Sequence, residues 1–212
     1  GEAAAYMGRD IKDLKIVTCH LGNGSSVSAV DGGKSVETSM GFTPLEGLPM
    51  GTRSGNIDPA AIEYLMNKKG MTISEMINYL NKKSGMLGLS GHSSDFRDLV
   101  EGDALKDPRN KLAVDIFAYR VKKYIGEYAA VMNGLDCIVF TAGVGENTPY
   151  VRKGACGELQ FFGVKLDDCK NEHCPRGVIA EISATDSKVK VLVIPTNEEL
   201  VIAREAKRVA GL

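Results

Sequence analysis

Little in the chain ties it to a membrane, a nucleic acid or an oxidising compartment. No apolar run approaches the roughly 18 residues that a membrane-spanning helix needs, and no signal peptide is visible. Basic residues do not gather. The 26 Lys+Arg stand against 27 Asp+Glu for a net charge of −1, with no basic stripe and no interleaved aromatics, so neither a nucleic acid nor a membrane is expected as a partner. The five cysteines (Cys19, Cys137, Cys156, Cys169, Cys174) are odd in number and lack C-x-x-C spacing, which predicts a reduced, cytoplasmic setting. Cys169, His173 and Cys174 cluster, but no second ligand pair accompanies them, which argues against a metal there. No 20–50-residue period repeats, and there is no low-complexity tract. No G-x-S-x-G elbow occurs, and His92, Ser93 and Asp95 lie too close in sequence to form a hydrolase triad; a capped turn accounts for them.

What is present suits a globular α/β chain. The 212 residues, 43% hydrophobic and 25% charged, allow one sizeable domain or two small ones. Residues 1–10 read as the last turns of a helix closed by Gly8, expected to enter from a preceding part of a larger polypeptide. An apolar strand from Leu14 to Cys19 breaks at Gly22-Asn23-Gly24-Ser25-Ser26 and resumes through Val30; Asp31-Gly32-Gly33 then turns the chain into a third strand, Lys34–Ser39. The Gly22–Ser26 bend exposes N–H groups and hydroxyls and lets an anion approach, although an ordinary β-turn would look the same.

A long polar loop, Met40–Asn56, carries Arg53 as its only cation, between Gly51 and Gly55. Loops of this length are usually functional or mobile, and arginine is suited to clamping phosphate oxygens, though a surface arginine needs no role. Asp58-Pro59 and Gly70 bound one helix, and the Thr72–Glu75 capping box opens another through Lys83. A flexible segment, Ser84–Ser94, follows, then a short helix start at Asp95–Asp98. Asp107-Pro108 begins the longest helix, to about Asn133, roughly 40 Å long and apolar on adjoining faces, as for a helix between a sheet and something else. Cys137–Phe140 reads as a strand buried on both faces. It leads into a glycine-rich turn, Thr141–Asn147, with Thr148-Pro149 as the cap of a helix, the arrangement that holds a nucleotide beyond the carboxyl end of a strand. Residues 164–182 give short strands and turns, Val189–Ile194 a last strand, and Pro195–Glu199 a capping box into the terminal helix.

Three familiar phosphate-binding templates fail. Gly143-x-Gly145 has Thr148, and Gly22-x-Gly24 has Val27, where a dinucleotide fingerprint needs a third Gly or Ala. Gly33-Lys34-Ser35 lacks the first glycine of a P-loop, and no H-R-D or D-F-G accompanies either glycine pair. The order β-β-β-α-β-α-β-α remains. It matches the actin-like ATPase or ribonuclease H-like domain, a mixed five-stranded sheet with small β insertions.

Five motifs then carry a specific resemblance. His20–Ser26, Met50–Pro59, Asp95-Phe96-Arg97, Phe140–Asn147 and Pro195–Glu199 resemble the acetokinase family, over essentially all of residues 1–212 but only the C-terminal half of a member, a single nucleotide-binding domain. The resemblance implies that His20, Leu21, Gly22, Asn23 and Gly24 contact ATP phosphates, with Asn23 at the β/γ end. It implies that Asp95, Phe96 and Arg97 lie beside adenosine, and that Gly143, Val144, Gly145, Glu146 and Asn147 wrap its base and ribose. Arg53 would stabilise the transferring phosphoryl group and Glu198 would hold Mg²⁺ (or Mn²⁺). The implied reaction is ATP + acetate giving ADP + acetyl phosphate by in-line transfer, in a homodimer of the full-length enzyme. Such transfer brings two anions together, so it calls for cations, N–H donors and a metal rather than a covalent nucleophile. Family members also use an aspartate, an arginine, an asparagine and a histidine upstream of this stretch, and none of His20, His92 and His173 matches that histidine. These 212 residues alone are therefore expected to be inactive or nearly so. Propionate or butyrate kinases, a non-catalytic actin-like nucleotide-binding module and, on Gly143-x-Gly145 alone, a Rossmann oxidoreductase are the competing readings. Two small-residue bends, near Asn23 and near Gly145, are expected to face each other across one crevice and grip a nucleotide, with Arg53 and Glu198 pointing into that same crevice.

Overall fold

The structure, a computed structural model, describes residues 1–211, except for the side chains of residues 198, 200 and 201. Helix α1 (Glu2–Met7) ends at Gly8 in a left-handed cap. Strands β1 (Lys15–Leu21), β2 (Ser25–Asp31) and β3 (Lys34–Thr38) form the expected meander, and Gly32 and Gly33, with φ of 55° and 81°, supply the turn between the last two. Helices α2 (Pro59–Lys69) and α3 (Ile73–Lys82) follow, capped by Asp58 and by the reciprocal Thr72–Glu75 box. Then come α4 (Gly85–Ser90), α5 (Phe96–Val100) and the long α6 (Pro108–Val131), which is capped by Asp107. Strand β4 (Cys137–Thr141) leads into α7 (Ala142–Asn147), α8 (Pro149–Cys156) and α9 (Asp168–Glu172). Strands β5 (Ala180–Glu181) and β6 (Lys190–Val193) and helix α10 (Glu198–Ala210) complete the chain.

The sheet has the order β3-β2-β1-β4-β6-β5. β1, β4 and β6 run parallel, and β2, β3 and β5 are antiparallel to their neighbours. Five strands are those expected. The sixth, β5, comes from the small β insertion in residues 164–182, which joins the same sheet at its edge. The side-chain period of two sorts the two faces. Val17, Cys19, Leu21, Ile138, Phe140, Val191 and Val193 point into the main core with α6 and α8. Ile16, Cys137, Val139 and Leu192 point the other way, against Ala3 and Ala4 of α1. Each fully buried aliphatic or aromatic chain here contributes about 1.5–3 kcal/mol. β4 is thus covered on both faces, as its unbroken apolar run requires.

Three expectations need correction. Ser84–Ser94 is not a flexible segment: Gly85 takes φ 57° directly beneath the Arg53 loop, and α4 winds from it, its first amides donating to the carbonyls of Met50 and Gly51 at 2.8 and 2.9 Å. Gly143 and Gly145 do not form a turn before a helix. They lie inside α7, which starts immediately after β4, and Thr148 makes no side-chain cap. α6, at 24 residues about 36 Å long, buries one stripe (Val114, Phe117, Val121, Ile125, Tyr128), while Leu112 and Tyr119 on the adjoining face are exposed.

Candidate functional site

The parallel strands β1, β4 and β6 end at one edge of the sheet, since His20 pairs with Thr141 and Phe140 with Val193. Open α/β sheets bind ligands beyond such carboxyl ends. Past β1 the chain makes a tight bend: Gly22 N–H donates to Gly24 O at 3.1 Å, and Ser25 Oγ, itself buried, donates to Gly22 O at 2.9 Å. Past β4, Ala142 is forced to φ 64°, which costs an alanine about 1–2 kcal/mol. A Cβ on Gly22 would lie 3.7 Å from that of Ala142, so the two strand ends touch. Past β6, Thr196 clamps the corner. Its hydroxyl accepts from Ala142 N–H at 3.0 Å and meets the Thr141 hydroxyl at 2.8 Å, rather than serving the capping box expected of it.

These ends open onto a cleft of about 1150 Å³. Of the predicted site residues, Gly22, Asn23, Asp95, Phe96, Arg97, Gly143, Val144 and Asn147 line it, so the two small-residue elements do face one crevice. His20, Leu21, Gly24, Gly145 and Glu146 do not line it. His20 is a half-buried strand residue between Ser26 and Thr141. Leu21 is wholly in the core, so its side chain cannot reach a phosphate. Gly145 is buried against the Phe140 backbone, and Glu146 Oε1 accepts from Thr196 N–H at 3.0 Å.

Asp95 caps α5 and grips Arg97 through contacts of 2.6 and 3.1 Å; the Arg97 guanidinium holds the Asp95 carboxyl below its usual range. Phe96 is buried edge-on against Phe117, ring centres 4.7 Å apart, and offers the cleft only its margin. The rest of the wall carries no motif in the sequence: Val100, Leu105 and Tyr150 supply apolar surface, and Lys153, Glu172 and Arg176 line it too. Tyr150 is held by its hydroxyl donating to Asp115, 35 residues away, at 2.7 Å, and Glu172 and Arg176 come from the least informative part of the sequence.

Arg53 lies at the other side of the bend and, contrary to expectation, does not line that cleft. It lines a second hollow of about 570 Å³ that shares Asn23 with the main cleft, and a Cβ on Gly24 would lie 3.6 Å from its Nη1. Nη1 also meets the Met50 sulfur at 3.4 Å, and among the described residues no carboxylate pairs with the guanidinium. A guanidinium with no carboxylate partner beside a glycine-rich bend is prepared for an anion. The Glu198 side chain lies outside the described residues; residue 198 opens α10, two residues after Thr196. No group of three His, Cys, Asp or Glu placed to hold a metal ion occurs among the described residues. A Mg²⁺ held through phosphate oxygens and one or two carboxylates does not require one.

A mixed sheet of this order, with its crevice at the ends of the parallel strands, defines a domain of the actin-like ATPase fold. The acetokinase family model matches residues 1–204, and the chain belongs to that family. It is 61% identical over 206 residues to the acetate kinase of Acetivibrio thermocellus, covering 97% of this chain and 51% of that protein. The solved acetate kinase of Porphyromonas gingivalis superposes with a TM-score of 0.92 at 43% identity, covering 96% of this chain and 51% of the other. A propionate kinase from Francisella tularensis superposes with a TM-score of 0.86 at 42% identity, again covering 96% and 51%. The chain thus spans about half the length of the relatives it matches.

Proposed function

We propose that this chain is the C-terminal nucleotide-binding domain of an acetate kinase and supplies the ATP and metal side of phosphoryl transfer from ATP to acetate. The observation that carries this reading is the Arg53 guanidinium, without a carboxylate partner among the described residues, beside Gly24 at the junction of the two hollows that share Asn23. In it, ATP lies with adenosine against Phe96, Val144 and Asn147, and with its phosphates on the Gly22–Gly24 bend. The γ-phosphoryl group then points toward Arg53 and the second hollow, from which the carboxylate attacks in line. Arg53 meets charge that grows on the equatorial oxygens as the bond to the leaving oxygen lengthens. A Mg²⁺ with Glu198 as its candidate ligand would neutralise phosphate charge when bound. The Asn23 and Gly24 backbone N–H groups and Arg53 orient the phosphates whatever the acceptor.

The test is acetyl phosphate formation by a polypeptide of the relatives' full length that contains this chain. Arg53→Ala is expected to lower kcat by about 10³-fold or more with KM for ATP little changed, as for loss of a transition-state arginine; an unchanged kcat refutes the assignment. A propionate kinase among the similar structures makes propionate the second acceptor to compare. Equal kcat/KM for the two acids would replace acetate kinase by a kinase of short carboxylates in general.

A further inference from the structure

Arg152 is the largest fully buried side chain of the protein, 1% exposed, and takes no part in the chemistry above. Among the described residues no carboxylate lies within ion-pair distance. Its guanidinium is held by neutral oxygens alone: Nε donates to Asn171 Oδ1 and Nη2 to Asn171 O, both at 2.8 Å, while Nη1 donates to Gly145 O at 2.9 Å and Glu146 O at 2.8 Å. Asn171, also 1% exposed, donates from Nδ2 to Pro149 O at 3.0 Å. Burial pushes the guanidinium's proton affinity down, yet arginine stays charged. Removing such a charge from water costs several kcal/mol, and an apolar residue of similar volume usually fills a core at least as well. Packing alone does not explain an arginine here; the pattern of its bonds does.

The elements it joins cannot hold their places alone. α7 has six residues, two of them glycine, and α9 has five, both too short to persist without tertiary ties. The carbonyls of Gly145 and Glu146 belong to the last turn of α7, which has no partners within its own helix. The opposite face of α7 presents Gly143, Val144 and Asn147 to the cleft, and α9 presents Glu172. We propose that Arg152 is a positioning residue for the nucleotide. From behind the wall it locks the end of α7 to Asn171 of α9, so that both sides of the outer cleft keep one fixed separation. The proposal rests on the cleft being the nucleotide site.

MgADP titrated calorimetrically into the wild-type chain and its variants tests both readings separately. Arg152→Met keeps the volume and removes all four bonds; Asn171→Ala leaves the bonds to α7 and the bond from Nη2 to the residue 171 carbonyl, and removes only the side-chain half of the tie to α9. Each is expected to raise the dissociation constant about tenfold, the scale of one charge-assisted hydrogen bond's worth of lost order. Arg152→Lys, which keeps the charge but cannot bridge two segments at once, should fall between. A purely structural role lowers the melting temperature and leaves the dissociation constant of the folded protein unchanged. That result overturns the proposal, and if Arg152→Met does not fold, Arg152→Lys and Asn171→Ala decide the same question. A wild-type chain that does not bind MgADP removes the nucleotide reading instead.

Discussion

Gly85 offers a direct check on how the Arg53 loop is held. An added Cβ would stand 2.1 Å from Met50 O, 2.5 Å from Arg53 O and 3.1 Å from Arg53 N, all backbone atoms that cannot rotate away. The same residue sits at φ 57°, where an alanine costs about 1–2 kcal/mol by itself. Gly70, at φ 65° with nothing within 4 Å of its would-be Cβ, carries that conformational cost alone. The difference between the two glycine-to-alanine variants therefore isolates the collision. Overpacking of this kind costs about 1–3 kcal/mol, which for a chain of this size is an extra fall of roughly 2–12 °C in Tm. Urea unfolding followed by circular dichroism measures both variants under one condition. If Gly85→Ala destabilises no more than Gly70→Ala, the loop yields freely, and its rigidity beneath Arg53 is refuted.

The far end of the same loop is pinned by Asn56, whose Oδ1 accepts from the buried Gly47 N–H at 2.7 Å and whose Nδ2 donates to Tyr124 Oη on α6 at 3.1 Å. Asn56→Ala should cost about 1–2 kcal/mol and Tyr124→Phe about 0.5–1 kcal/mol. The double variant should cost less than their sum because one bond is shared, and strict additivity in denaturant unfolding would show that the tie is not formed. At the edge of the sheet, burial pushes the Glu181 carboxyl up, but hydrogen bonds from Lys190 and Ser183, both at 2.7 Å, and the Lys190 charge bring it below its usual range. A depressed folded value means that the pair stabilises above the unfolded carboxyl's pKa of about 4.3 and is lost as pH falls through the lower folded value. The pair is partly exposed, with Lys190 at 36%, so Glu181→Gln should remove only about 0.5–1 kcal/mol at pH 7. That gap should close under acid; a gap that is constant from pH 7 to pH 3 excludes the ion pair as its cause.

Local chemistry was legible wherever a residue acts on its own neighbours. The Asp58 and Asp107 caps, the Thr72–Glu75 box, the Gly32-Gly33 turn and the two-faced burial of Cys137–Phe140 all follow from side-chain types at fixed spacing, because their partners lie within a few residues or on the repeating faces of a strand. The meeting of the Gly22–Gly24 bend with α7 also follows, since parallel strands must end at one edge. What the sequence could not carry were contacts whose two halves lie far apart along the chain. Ser84–Ser94 reads as flexible until Met50 and Gly51 offer carbonyls to the start of α4. Nor does the sequence reveal that Glu146 Oε1 accepts from the Thr196 N–H, fifty residues on. Arg152 belongs to no motif, and only the approach of Asn171 and the end of α7 shows that it is buried and bonded through four of its N–H groups. The amino-acid order by itself determined the long strands and helices, their order and the family, but not α4 or α7. Tertiary packing alone decided which polar groups are already bonded within the protein and which, like the Arg53 guanidinium, have no carboxylate partner among the described residues. The reason is that a hydrogen bond is satisfied by proximity in space, whatever the separation along the chain.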